Sequence, residues 1–228
     1  MDEVGKKTAE STEALALLAQ AYDDTIQVLG SALDLKDGKS AGHCQRVTAY
    51  TISIARTVPV PPQYLEVLAR AAFLHDIGKM AIPDKILLKP GPLDDSEKQI
   101  MRTHCEIGYN VLTRVPFLRE AADIVLAHHE FFDGAGYPRG LRGEQIPLGA
   151  RIISIANALD AMLSDCPYRS ALPMSHGREE IRCCAGTQFD PKIVEVFLTI
   201  PEKHWVELRQ NLDAPYRLSY YLKTLRMA

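Results

Sequence analysis

Five of the seven histidines are predicted to lie on apolar helical faces, where a buried imidazole needs a polar partner. His43, His104 and His128 each share a helical row with aliphatic residues. His75 ends an apolar stripe and is followed at once by Asp76. Burying so many imidazoles without partners would cost about 1–3 kcal/mol for each unsatisfied group. A shared metal ion would remove that cost, so the pattern predicts a metal cluster, although any single histidine could be a hydrogen-bonded core residue.

The ligand types indicate which metals and which chemistry to expect. Imidazole nitrogen and carboxylate oxygen without thiolate suit iron or manganese, and are compatible with zinc or nickel. Two divalent ions about 3.5–4 Å apart, bridged by a carboxylate and a hydroxide, would use these ligands and activate the hydroxide for attack on phosphorus. We assign Asp76 as the bridging carboxylate. Lys79 is expected to offset charge on a phosphate oxygen, or alternatively to cap a helix C-terminus beside Gly78.

The elements that must position these residues are predicted to be helices. Apolar residues recur at helical spacing in several windows, and no window of similar length alternates like a strand. Ser96 and Gln99 are typical of a capping box. Two segments rich in proline and glycine, 81–93 and 131–147, are predicted to be long loops that carry function. The predicted helices lie near 10–35, 42–57, 62–76, 95–114, 117–129, 147–164, 174–185, 190–199, 202–211 and 215–226.

Composition limits the class of protein. The chain has 228 residues, 46% of them hydrophobic, which is enough for a sizeable core. Its formal charge of −3 gives no general attraction to a nucleic acid polymer or an acidic membrane. No long uncharged apolar run and no signal peptide are apparent, so the sequence predicts a soluble, cytoplasmic protein without a membrane segment. The five cysteines form no Cys-x-x-Cys pair and are interpreted as reduced thiols.

An ordered series of motifs resembles the HD-GYP domain family. The series consists of His75-Asp76-Ile77-Gly78-Lys79, then His128-His129-Glu130 and Asp133-Gly134-Ala135-Gly136-Tyr137-Pro138. The match runs from about residue 37 to residue 197. The resemblance implies an all-α phosphohydrolase fold whose two- or three-metal centre linearises cyclic di-GMP to pGpG and in some cases cuts it further to GMP. An upstream sensory or receiver module, or a diguanylate cyclase, is the kind of partner that the resemblance suggests.

The resemblance also assigns roles by position. Lys79 matches a phosphate-facing lysine. Tyr137 belongs to the Gly-Tyr-Pro loop and is expected to contact substrate. Alternatively, the glycines and the proline serve only to form turns, and Tyr137 packs over the site without binding a ligand. The residues that match metal ligands are His43, His75, Asp76, His104, His128 and His129.

One departure from the family pattern lies in the helix after the glycine-rich loop. Asn157 stands where the family offers an aspartate as a further metal ligand. An amide oxygen can coordinate a metal but brings no charge, so the site should bind divalent ions more weakly. Asp160, one turn later, is expected to take part in catalysis through a hydrogen bond to Lys79 or to a metal-bound water.

Two further departures concern the substrate and the number of ions. Cys166 replaces an arginine that the family uses to hold the dinucleotide, which leaves Arg169 as the expected phosphate contact. Lys39, four residues before His43, stands where members with three metals tend to carry glutamate. The sequence therefore favours two ions over three.

The leading hypothesis is a metal-dependent cyclic di-GMP phosphodiesterase. A catalytically weak or silent relative that binds a cyclic dinucleotide or a protein is the alternative, and hydrolysis of another phosphate ester, such as a mixed cyclic dinucleotide, is a third. The predicted organisation is an N-terminal helix or linker over 1–35, a catalytic domain over 36–200 and a C-terminal helical extension over 201–228. The apolar tail is expected to cover the core or a homodimer seam.

Overall fold

The computed structural model describes residues 3–37, 42–165, 170–211, 218 and 222. These residues form α-helices and short 3-10 turns, with one isolated bridge between Ala185 and Phe189 and no strand among them. The predicted all-α class is confirmed. The predicted helix over 215–226 lies almost wholly outside the described residues. The α-helices are α1 (Glu3–Asp37), α2 (His43–Ala55), α3 (Pro62–Leu74), α4 (Asp84–Leu87), α5 (Asp95–Arg102), α6 (His104–Leu112), α7 (Arg119–Ala127), α8 (Leu148–Leu163), α9 (Met174–Cys183), α10 (Pro191–Thr199) and α11 (Glu202–Asn211).

The capping box at the start of α5 is formed by residues other than those predicted. Asp94 is the N-cap: its carboxylate accepts from the Glu97 backbone N–H at 2.9 Å, and Glu97 accepts from the Asp94 N–H at 2.9 Å. The prediction of Ser96 with Gln99 is therefore wrong. An aspartate at the N-cap both satisfies an orphan donor and places negative charge at the positive end of the helix, so the helix begins there.

The helix predicted over 95–114 is divided at Thr103 into α5 and α6. The 3-10 turn over Ile77–Ala81 approaches α6 so closely that a Cβ on Gly78 would lie 1.9 Å from the His104 carbonyl oxygen. Only glycine fits between these two backbones. The break and the close approach together bring His104 beside the residues that follow α3.

The core lies where α2, α3, α7 and α8 pack together. Its fully buried side chains include Tyr50, Phe73 and Ile153. Helix α11 is joined to this core by Trp205, whose ring packs edge-on against Tyr50 and is tilted against Phe197. Within the described part of the chain, no helix is both long enough and apolar enough to cross a membrane.

The two predicted loops differ in how much helix they contain. The segment 81–93 is partly helical, since it contains α4 and the end of the 3-10 turn. In the segment 131–147 only Gly143–Gln145 form a short 3-10 turn. The start of this second loop follows α7 directly, which places it beside the histidines at the end of that helix.

Candidate metal centre

Five histidines and Asp76 converge between the ends of α2, α3, α6 and α7. Their ligand atoms form two groups, and within each group these atoms lie within 4.8 Å of one another. One group holds His43, His75 and Asp76, and the other holds Asp76, His104, His128 and His129. Asp76 belongs to both groups. The histidines and the aspartate that the sequence singled out are thus brought together by the fold.

The two oxygens of Asp76 face different histidines. Oδ2 lies 3.8 Å from His43 Nε2 and 3.4 Å from His75 Nε2. Oδ1 lies 3.4 Å from His104 Nε2 and 3.8 Å from His128 Nε2. A carboxylate with one oxygen directed to each group has the arrangement that a bridging ligand between two ions requires.

Three of the histidines are oriented by nearby backbone carbonyls. The Nδ1 atom of His75 lies 2.8 Å from the Ala72 carbonyl, and those of His104 and His128 lie 2.7 Å and 2.6 Å from carbonyls three residues earlier. A carbonyl only accepts, so each Nδ1 carries the proton and each Nε2 presents its lone pair. This is the tautomer that a metal ligand needs.

His43 is oriented by a side chain far away in the sequence. Its Nδ1 lies 2.7 Å from Oδ2 of Asp160 on α8. Arg46 donates to both oxygens of the same carboxylate, at 2.6 Å from Nε and 3.1 Å from the terminal nitrogen, and Arg209 donates to Oδ1 at 2.8 Å. Burial alone would raise the pKa of Asp160, but the hydrogen bonds from His43 and Arg46 outweigh it and hold this pKa far below its usual range. Asp160 is therefore ionised and accepts the Nδ1 proton.

Burial favours the neutral form of His104, His128 and His129. Burial lowers the pKa of His104, and burial lowers those of His128 and His129 well below their usual value, helped by the neighbouring imidazoles. A neutral imidazole is the form that binds a metal.

Lys79 contacts Asp76 and Asp37, and no hydrogen bond joins it to Asp160. Its ammonium lies 2.6 Å from Asp76 Oδ2 and 3.2 Å from Asp37 Oδ2 at the end of α1. The structure shows no contact between Asp160 and Lys79, because Asp160 faces His43 and two arginines. The alternative contact of Asp160, with a metal-bound water, stays a prediction. The structure places Asp160 where its carboxylate accepts from His43 Nδ1.

The Gly-Tyr-Pro loop returns onto the same histidines. The ring of Tyr137 stacks on His129, with centroids 4.8 Å apart and planes at 19°, and Arg102 lies over the Tyr137 ring at 4.9 Å. Buried Glu130 anchors the loop by accepting from the Arg139 and Leu141 backbone N–H groups at 2.8 Å and 3.0 Å. Tyr137 is thus at the edge of the centre, in contact with one of its histidines.

Of the residues connected with the departures from the family pattern, the structure describes only Asn157. Asn157 is half-buried on α8, one turn before Asp160. Arg169 and Cys166 lie outside the described residues, as does Lys39. Their predicted roles remain predictions.

Four contacts of the site were not assigned from the sequence. They involve Arg46 and Arg209 at Asp160, Asp37 at Lys79 and Arg102 at Tyr137. Arg46 lies three residues after His43 on the same helix, and this spacing could have indicated that Arg46 lies on the same side of α2 as His43. The others join segments that are distant in the chain and have no local signal.

The buried polar atoms fit a metal. The Nε2 atom of His75 is buried and makes no hydrogen bond to any described residue, although an imidazole nitrogen without a partner is costly to bury. Each group combines imidazole nitrogens with an Asp76 oxygen, which is a donor set that divalent transition metals accept. The described residues therefore could hold metal ions, with no thiolate in either group.

Sequence comparisons identify relatives that hydrolyse cyclic dinucleotides. A cyclic di-GMP phosphodiesterase of Thermotoga maritima is 37% identical over 83% of this chain and 52% of its own length. The response regulator RpfG of Xanthomonas campestris pv. campestris, also a cyclic di-GMP phosphodiesterase, is 38% identical over 77% of this chain and 47% of its own length. A 3'3'-cGAMP-specific phosphodiesterase of Vibrio cholerae is 35% identical over 88% of this chain and 38% of its own length. The chain spans about half the length of the first two relatives and 38% of the length of the third.

Structure comparisons support the fold. A cyclic GMP-AMP specific phosphodiesterase of V. cholerae has a TM-score of 0.65 at 22% identity, and the match covers 89% of this chain and 53% of that one. The HD domain of the phosphodiesterase PgpH of L. monocytogenes, solved with cyclic di-AMP, has a TM-score of 0.52 at 17% identity, covering 82% and 96%. The model of the HD domain family matches residues 27–193 of this sequence. The resemblance seen in the motifs is confirmed, and the chain belongs to the HD domain family.

Proposed function

We propose that this protein hydrolyses a phosphodiester bond of a cyclic dinucleotide, with cyclic di-GMP as the first substrate to test. The observation that carries the proposal is the position of Asp76, whose two oxygens face two separate groups of histidines. Relatives named as phosphodiesterases of cyclic di-GMP or 3'3'-cGAMP support the substrate class.

The proposed ligands are His43 and His75 for one divalent ion and His104, His128 and His129 for the other, with Asp76 shared and Asn157 as a neutral additional ligand. We propose iron or manganese, with zinc or nickel as alternatives, because the donor set contains no thiolate. When bound, two such ions supply Lewis-acid activation of water and of a phosphoryl oxygen.

The protein side chains then orient the substrate and offset its charge. An ammonium has three N–H donors, and the contacts of Lys79 with Asp76 and Asp37 use two of them. The third is available for a phosphate oxygen, where it would stabilise negative charge that develops as the bond breaks. Tyr137, stacked on His129, presents an aromatic face on which a base could pack, and Arg169 is the proposed second phosphate contact.

The closing test is turnover by the manganese- or iron-loaded protein with cyclic di-GMP, 3'3'-cGAMP and cyclic di-AMP as separate substrates. We expect about two metal ions per chain and conversion of cyclic di-GMP to pGpG, with any GMP measured separately. Binding of cyclic di-GMP without turnover in the two-metal protein would overturn the proposal and support a dinucleotide-binding protein. Turnover of another substrate alone would move the assignment to that substrate.

A further inference from the structure

Helix α11 reaches the surroundings of the candidate metal centre through Arg209, which contacts Asp160. The helix lies beyond residues 27–193, which are the part of the chain that the family model matches. Trp205 is fully buried between Tyr50 and Phe197 and fixes the helix against α2 and α10. Because Arg209 is one turn after Trp205, it lies on the same face of α11 and its guanidinium reaches inward.

The guanidinium of Arg209 joins the Asp160 carboxylate to the end of α8. It donates to Asp160 Oδ1 at 2.8 Å and to the Leu163 carbonyl at 2.7 Å, with a further contact to Ser164 Oγ at 3.1 Å. Asp160 and Leu163 both belong to α8, so Arg209 fixes the carboxylate relative to the helix that carries it. The carboxylate is 1% exposed, so water competes little for these bonds.

The other arginine at Asp160 cannot do the same. Arg46 is on α2, three residues after His43, and moves with the histidine that it would help to orient. With Arg46 alone, the carboxylate and His43 could shift together. Arg209 adds a second donor on Oδ1 from a different helix, which leaves Oδ2 directed at His43 Nδ1 at 2.7 Å.

We infer that Arg209 is a positioning residue for His43, acting through Asp160, and that α11 is therefore part of the support of the metal centre. The inference rests on the proposed function in that it takes His43 as a metal ligand. Groups that orient a metal-binding histidine typically change metal affinity by about 10–100-fold when removed. The effect should be confined to the ion that His43 binds, because His104 and His128 are oriented by the backbone carbonyls of Met101 and Val125 and not by Asp160.

The test compares Arg209→Met with Arg178→Met. Methionine keeps an unbranched stem and removes the donors. Arg178 is a matched control, since its guanidinium donates to the backbone carbonyls of Leu198 and Ile200 and packs over Phe197 without contacting Asp160. The first readout is solvent exchange of the His43 Nδ1 proton, followed by NMR in the metal-free protein. The second is manganese titration that resolves the affinities of the two ions.

We expect faster exchange of the His43 proton in Arg209→Met and a loss of about tenfold in affinity for one ion only, with both readouts unchanged in Arg178→Met. Unchanged exchange, or equal loss of both ions, would overturn the inference. If Arg209→Met does not fold, Arg209→Lys replaces it, and a smaller shift of both readouts is expected; no shift would again overturn the inference. The exchange readout needs neither metal nor substrate, so lack of turnover in the parent protein would overturn the proposed function alone.

Discussion

The two sides of the candidate metal centre are held in place in different ways. On the side of α6 and α7, His104 and His128 donate to carbonyls three residues earlier in the chain. On the side of α2, His43 donates to Asp160, which is 117 residues away. The first side can take its geometry as soon as the helix ends form, whereas the second requires that α2, α8 and α11 are already packed. The comparison predicts that the second side is the more sensitive to distant changes.

The largest effect is expected from replacing Asp76, the residue that the two sides share. Asp76→Ala should weaken binding of both ions by at least about 100-fold and abolish hydrolysis, because each ion loses its carboxylate oxygen. Elemental analysis and a turnover assay measure this, with the exposed Asp123→Ala on α7 as control. Full metal occupancy in Asp76→Ala would show that Asp76 is not a ligand.

The next substitution removes the ammonium group of Lys79 and leaves the histidines and Asp76 unchanged. Lys79→Ala should retain metal and lower turnover by about 100- to 1000-fold, the range for one lost donor to developing charge. Metal content and kcat are measured together, and the exposed Lys85→Ala serves as the control. Loss of metal with Lys79 would contradict its assignment as a phosphate-facing group.

A third change should separate the two sides. Asp160→Asn removes the charge that holds His43, so one ion should bind about 10–100-fold more weakly while the other is unaffected. The matched control is Asp190→Asn, since Asp190 is also buried and paired with an arginine, Arg151, at 2.6 Å. The control should lose thermal stability without a change in either metal affinity. Equal weakening of both ions in Asp160→Asn would remove the distinction between the sides.

The smallest expected effect comes from replacing Asn157 on α8. Asn157→Asp adds a carboxylate one turn before Asp160 and should tighten metal binding by about 1 kcal/mol, with a rise in turnover. Asn110→Asp, exposed on α6, is the control. Metal titration of the two variants is the measurement. Unchanged metal affinity in Asn157→Asp would mean that position 157 does not reach the centre.

The amino-acid sequence by itself determined which histidines and which aspartate gather at the candidate centre, and it determined the class of the fold. Helical periodicity was sufficient because it is a local property, repeated every few residues. The order of His75, Asp76, His128 and His129 was sufficient to select the family. Three of the histidine orientations are also local, since the Nδ1 partners of His75, His104 and His128 lie only three residues away.

Only the tertiary structure decided which groups support those ligands. Asp160 was expected to contact Lys79 or a metal-bound water. In the structure it contacts His43, with Arg46 and Arg209 completing its contacts. The break of the 95–114 helix at Thr103 and the close approach of Gly78 to the His104 carbonyl are likewise visible only in the tertiary structure. No periodicity encodes such contacts, because they depend on which side chains a packed core brings to the same point, and that is fixed by burial and by the satisfaction of buried charge.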